Sequence, residues 1–151
     1  MAIYRLLGAV LVVSLGSGCA GPYQPSANDV MVPVKYMGWG SPSMCKDGKL
    51  YNLHRAENSD AYQVPSGQLI AFGTRMHSSG YNVSYTCSPW LAFIPEAGRI
   101  YVANGGLVSQ GRCFIELVRE DETKETGVAL EPSVTRASAC VAPSAAASAP
   151  R

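Results

Sequence analysis

Charge is scarce in this chain of 151 residues: 15 % of them carry one, and twelve Lys and Arg against eleven Asp and Glu leave a net of +1. A balance so close to neutral offers no field to recruit nucleic acid or anionic lipid. Charged residues are also too few for a coiled coil. Histidine is nearly missing, with only His54 and His77. There is no Gly-x-Ser-x-Gly elbow for a hydrolytic serine, and neither histidine has a serine and an acid in a recognisable triad order. Cys-x-x-Cys is absent, which argues against zinc and against a thioredoxin-like redox pair. No glycine-rich phosphate cradle leads from a strand into a helix. Glu120, Asp121, Glu122 and Glu125 crowd one segment with Lys124 among them. They read as a solvated loop, not as two acids facing across a cleft or as a calcium loop. These absences predict no enzyme, no cofactor, no metal and no small-molecule substrate.

Long apolar runs are missing too. The longest near the start, Leu6–Leu15, has ten residues, half of the about 20 that a membrane span requires. It follows a single charge, Arg5, and ends in Leu15-Gly16-Ser17-Gly18-Cys19. A short apolar run closed by small residues is the pattern of a secretory signal. Small residues leading directly into cysteine resemble the lipobox of bacterial lipoproteins, although Gly16 stands where that box usually has leucine. The resemblance implies cleavage after residue 18, acylation of Cys19 and a membrane anchor made of several chains, since one acyl chain holds only marginally. Ala20 is not the Asp that retains enterobacterial lipoproteins at the inner membrane, which favours the outer membrane. Removing residues 1–18 takes Arg5 away and leaves eleven charges of each sign.

What the chain does have is a substantial apolar content, 47 %, in a length suited to one domain with a real core. Four cysteines remain after Cys19: Cys45, Cys87, Cys113 and Cys140. In an oxidising envelope they read as structural disulfides. Of the three possible pairings, Cys87–Cys113 with Cys45–Cys140 is favoured. Cys87 closes one apparent strand and Cys113 opens another with a hairpin between them, and the second bridge would tie the start of the domain to its end.

The pattern between residues 29 and 140 is strand-like throughout. Val30–Met37 is a first candidate, with Pro33 suggesting a sheet edge. Asp47-Gly48 marks a hairpin turn before Leu50–His54. Ala61–Val64 and Gln68–Met76 follow, and His77-Ser78-Ser79-Gly80 reads as a turn. Tyr81–Cys87 alternates, as does Arg112–Arg119, where Cys113, Ile115 and Leu117 share a face. Residues 120–125 form a charged turn before a short strand over Val128–Leu130. No window carries helical periodicity. About eight short strands separated by turn signals predict an all-β fold, a small disulfide-stapled antiparallel β-sandwich. Residues 19–28 read as a flexible leash. Residues 141–151, rich in Ala, Ser and Pro, read as a disordered tail.

Tyr62-Gln63-Val64-Pro65-Ser66-Gly67, Thr86-Cys87-Ser88-Pro89, Phe93-Ile94-Pro95-Glu96-Ala97-Gly98-Arg99-Ile100-Tyr101 and Gly111-Arg112-Cys113 occur together. The combination resembles a group of small proteobacterial envelope lipoproteins with a Phe-x-Pro-x-x-Gly-x-x-Tyr hairpin, similar in turn to transthyretin-like or immunoglobulin-like sandwiches. It spans about residues 60–118 and implies architecture, not activity. In physical terms Pro95 ends a strand, Gly98 permits the turn and Tyr101 returns beside the partner strand.

The remaining candidates for chemistry are aromatic. Tyr36 and Trp39 lie in or beside a Gly-rich, Ser-Pro-flanked loop before Cys45, and Trp90 follows Ser88-Pro89. Aromatics carried on loops by a rigid scaffold suit protein partners. The expected function is a lipid-anchored, non-enzymatic envelope module that binds an envelope protein. The alternatives are an inhibitor or immunity protein against a lysozyme-like or toxin enzyme, and an accessory lipoprotein of a secretion or pilus machine.

Overall fold

The computed structural model describes residues 20–56, 58–108 and 111–140. The expected signal segment 1–18, the acylation candidate Cys19 and the expected tail 141–151 lie outside the described residues. The first sheet holds six strands, in the order β1 (Gly21–Pro22), β4 (Lys49–Asn52), β3 (Pro42–Lys46), β6 (Ile70–Thr74), β9 (Trp90–Phe93) and β13 (Thr135–Ala137). The second holds five, in the order β12 (Val128–Leu130), β11 (Cys113–Glu120), β10 (Tyr101–Leu107), β2 (Met31–Tyr36) and β5 (Ala61–Pro65). A separate ribbon pairs β7 (Met76–Gly80) with β8 (Val83–Cys87).

Alternation builds the core. Val32, Val34 and Tyr36 of β2 face inward, as do Met44, Ile70, Phe72, Leu91 and Phe93 from the first sheet and Val64, Tyr101, Ala103 and Leu117 from the second. Two aromatic pairs join the sheets, Tyr36 with Phe72 at 6.1 Å and Phe93 with Tyr101 at 5.2 Å between ring centroids. Each fully buried large side chain contributes about 1.5–3 kcal/mol relative to exposure. The fold is an all-β sandwich, mostly antiparallel and closed by two disulfides, Cys45–Cys140 and Cys87–Cys113, with Cα–Cα separations of 5.1 and 6.3 Å. Two pairings are parallel, β10 with β2 and β1 with β4.

Strand directions give the sandwich two distinct ends. At the turn end lie the Asp47–Gly48 turn, Ser66–Leu69 and the connection Ile94–Ile100. At the ribbon end lie Met37–Ser41, the β7–β8 ribbon and, between β10 and β11, Val108, Gly111 and Arg112. Asp47 and Gly48 both have positive φ, 53° and 73°, which is the mirror-image turn that suits a two-residue hairpin and that Asp-Gly favours.

Several expectations are corrected. Pro33 does not mark an edge strand, because β2 lies between β10 and β5. Its pairing with β10 begins only at Val34, so the missing N–H falls where that ladder has not started. The Phe93–Tyr101 segment is not a hairpin. β9 and β10 belong to different sheets, and the segment is an arch that carries the chain across the core. The Tyr101 hydroxyl accepts a bond from the Glu96 N–H at 2.8 Å and pins that arch. The chain between Cys87 and Cys113 is therefore two strands of two sheets, although the favoured pairing is the one found. Gln68–Met76 divides at Arg75, and His77-Ser78-Ser79-Gly80 is strand, not turn. β3 and β13 were not anticipated. Nor are residues 20–28 a free leash, since β1 pairs with β4 at Gly21–Tyr51 and Pro22–Asn52.

Candidate protein-binding surface

The ribbon end begins where β2 runs out. Past Tyr36 the chain keeps the spacing of the parallel ladder: Met37 N–H donates to Ala103 O at 2.9 Å and Trp39 N–H to Gly105 O at 3.2 Å. The Tyr36 hydroxyl then donates to Trp39 O at 2.7 Å. Burial pushes the Tyr36 phenol above its ordinary pKa, so the donor keeps its proton at neutral pH. Thr74 Oγ1 lies 3.1 Å from the same oxygen and 3.4 Å from Ser41 O, and its one proton serves one of them at a time. Two hydroxyls from buried side chains thus hold the Trp39 backbone.

Glycine on both sides of Trp39 lets the loop pass this closely. A Cβ on Gly38 would collide with the Tyr36 ring and with Gly105 O, and Gly40 has φ +84° with Arg75 O and Thr74 Oγ1 where its Cβ would stand. The indole of Trp39 nevertheless remains 61 % exposed, and Met37 beside it is 67 % exposed. A fixed backbone under an exposed aromatic side chain leaves little backbone freedom to lose in any contact the indole makes.

The ribbon extends the same surface. β7 leaves the first sheet after Thr74, and among the described residues β8 pairs with β7 alone. The alternation of Tyr81, Val83 and Tyr85 therefore meets no covering sheet. Tyr81 at the tip is almost fully exposed, and Val83 and Tyr85 are also exposed. Asn82 turns the chain with φ +56°, a conformation Asn tolerates. The Cys87–Cys113 bridge fastens the base of the ribbon to β11, and the Tyr85 ring lies where a side chain on Gly111 would stand. Val108 and Phe114 add exposed apolar area at this end.

Of the three aromatics singled out from sequence, the surface keeps one. Trp39 is exposed as expected. Tyr36 is buried at 6 % exposure, so its role is to hold the loop and not to touch a partner. Its burial could have been read from Val32-x-Val34-x-Tyr36, which alternates on the core face. Trp90, in β9, lies partly buried over Gly73 of β6 on the outer side of the first sheet. Tyr81, Val83 and Tyr85 belong to the alternating segment Tyr81–Cys87, whose pattern alone did not mark them as a surface.

The histidines stand apart. His77 is exposed on the ribbon with Nδ1 3.1 Å from Thr86 Oγ1. His54 lines a cleft of about 200 Å³ with Tyr23, Pro25, Met31, Asn52, Leu53 and Gln63. Among the described residues no three of His, Cys, Asp and Glu come together as a metal site. No protein-family model matches the chain, and neither a curated protein nor a solved structure does. The functional reading accordingly rests on this surface and on the sequence.

Proposed function

We propose that the protein is a lipid-anchored, non-enzymatic module of the bacterial cell envelope that binds another envelope protein through its ribbon end. The observation that carries the reading is Trp39, an exposed indole on a backbone held by the buried Tyr36 and Thr74 hydroxyls. Aromatic anchors of this kind dominate protein–protein binding energy. The lipobox-like approach to Cys19 and the two disulfides support an exported, oxidising setting.

A second reading draws on the ribbon. A narrow two-stranded projection with Tyr81 at its tip has the shape to enter an enzyme cleft, so an inhibitor or immunity protein is the alternative.

In-cell crosslinking separates them, comparing the native chain with Cys19→Ser and with Trp39→Ala. One envelope protein captured by the native chain and lost from both variants supports the anchored module. A soluble hydrolase captured equally by the native chain and Cys19→Ser supports the inhibitor. Unchanged capture by Trp39→Ala overturns the assigned surface.

A further inference from the structure

The residues that follow Cys19 are built into the sandwich, and this has a consequence for how the domain stands. Ala20 O accepts a bond from Asn52 Nδ2 at 3.1 Å. Gly21 and Pro22 pair with β4. The Tyr23 ring meets Tyr51 edge-on at 5.2 Å, and its hydroxyl donates to Asp29 Oδ2 at 2.6 Å. A free ten-residue leash would set the domain roughly 17 Å from its anchor. Here a single peptide step of about 3.8 Å separates Cys19 from the first bonded residue.

Direction matters as much as length. β1 runs parallel to β4 with Gly21 opposite Tyr51, so the chain enters β1 from the side of Lys49 and Leu50, the turn end. β3 runs the other way, from Pro42 beside the Trp39 loop to Lys46 at the Asp47–Gly48 turn. Its five residues span about 17 Å. The Trp39 loop and the entry of the chain therefore sit at opposite ends of the sandwich.

We infer that a lipid bilayer is the partner of the turn end: the domain stands with its Asp47–Gly48 turn against the headgroups and its ribbon end facing away. The inference rests on the reading of Cys19 as the acylated residue. The first sheet's rim at this end is suited to an interface: Lys46 and Lys49 pair across the turn and outnumber Asp47 between them, and Leu50, Leu69 and Ile94 at the same end are exposed. The acidic segment Glu120–Glu125 is at the same end but follows β11, on the far side of the sandwich from β1. Repulsion from anionic headgroups tilts the domain onto its lysine-bearing rim.

The test is amide exchange on the acylated full chain in vesicles of phosphatidylethanolamine and phosphatidylglycerol, with Cys19→Ser beside the same vesicles as reference. Residues 47–50 and 67–69 are expected to exchange several-fold more slowly in the anchored protein, with 38–41 and 79–86 unchanged. Inserting ten Gly and Ser residues between Cys19 and Ala20 is expected to abolish that protection while acylation persists. Equal exchange at the turn end, protection of the ribbon end, or protection that survives the insertion overturns the orientation. Intact mass without acyl groups on Cys19 overturns the anchoring reading itself, and so tells the two failures apart.

Discussion

The Tyr36 hydroxyl reaches over three residues to the Trp39 carbonyl at 2.7 Å and fixes an exposed indole from inside the core. Tyr36→Phe removes that bond and is expected to cost about 1 kcal/mol, read as a lower urea midpoint with an unchanged slope. Trp39 O keeps Thr74, so the loop loosens without collapsing. Trp39→Ala removes a solvated side chain and is expected to change stability by less than about 0.5 kcal/mol. The two variants should therefore rank oppositely: Tyr36→Phe the more destabilised, Trp39→Ala the weaker in partner capture. The reverse order would separate the loop from binding.

The two disulfides close loops of very different length, with sequence separations of 26 and 95 residues. Chain entropy assigns about 3.5 kcal/mol to the Cys87–Cys113 bridge and about 4.7 kcal/mol to Cys45–Cys140. Non-reducing peptide mapping is expected to recover Cys45 with Cys140 and Cys87 with Cys113, and no free thiol among the four. Replacing each pair by serine should lower the thermal midpoint, more for Cys45 and Cys140. Loss of Cys87–Cys113 has a local signature as well, faster amide exchange over 77–86, because that bridge is what fastens the ribbon to β11.

What could be read from sequence divides along the range of the interactions. The Asp47–Gly48 hairpin was legible because both turn residues need φ above zero and their types say so. β11 was legible because Ile115 and Leu117 do face a core. The arch was not, since Pro95 and Gly98 make the same turn whether the flanking strands share a sheet or bridge two. The deciding fact is that Phe93 and Tyr101 meet across the core, and no local pattern carries it. The same limit hid β1, a polar segment that becomes a strand only because β4 offers it an edge. At the surface, glycine around Trp39 marked an exposed loop, whereas the exposure of Tyr81, Val83 and Tyr85 depended on β8 finding no second neighbour.

Gly73 offers a test of packing on the outer side of the first sheet. Its backbone lies under Trp90, and a Cβ there would overlap the indole and Pro89 O. Gly73→Ala is expected to push the indole toward solvent and destabilise the domain by about 1–3 kcal/mol, the range for overpacking. Trp90 emission should shift to the red when measured in a Trp39→Phe background. Gly67→Ala is the control. Unlike Gly73 it has a positive φ, +76°, and nothing lies within 4 Å of its Cβ position. Its cost is backbone strain alone, and Trp90 emission should not move.

The docked N-terminal segment should release in acid and in base. In the folded chain the Tyr23 hydroxyl, and then the Ser26 N–H, hold the Asp29 carboxyl below the ordinary carboxylate range. A carboxyl lowered on folding stabilises docking above its unfolded pKa of about 3.9 and loses that contribution as pH falls through the folded value. Tyr23 works in the opposite sense. Burial first, and then the bond to Asp29, raise its phenol. Above about pH 10 the released tyrosine ionises more readily than the docked one, which again favours release. Amide exchange over residues 21–29, measured from pH 3 to pH 11 and corrected for intrinsic rates, should show protection on a plateau between those limits. Asp29→Asn should remove the acid limb, and Tyr23→Phe should remove the alkaline limb and lift the Asp29 pKa. Loss of the whole domain's protection at the same pH would instead mean that the segment melts with the sandwich and not ahead of it.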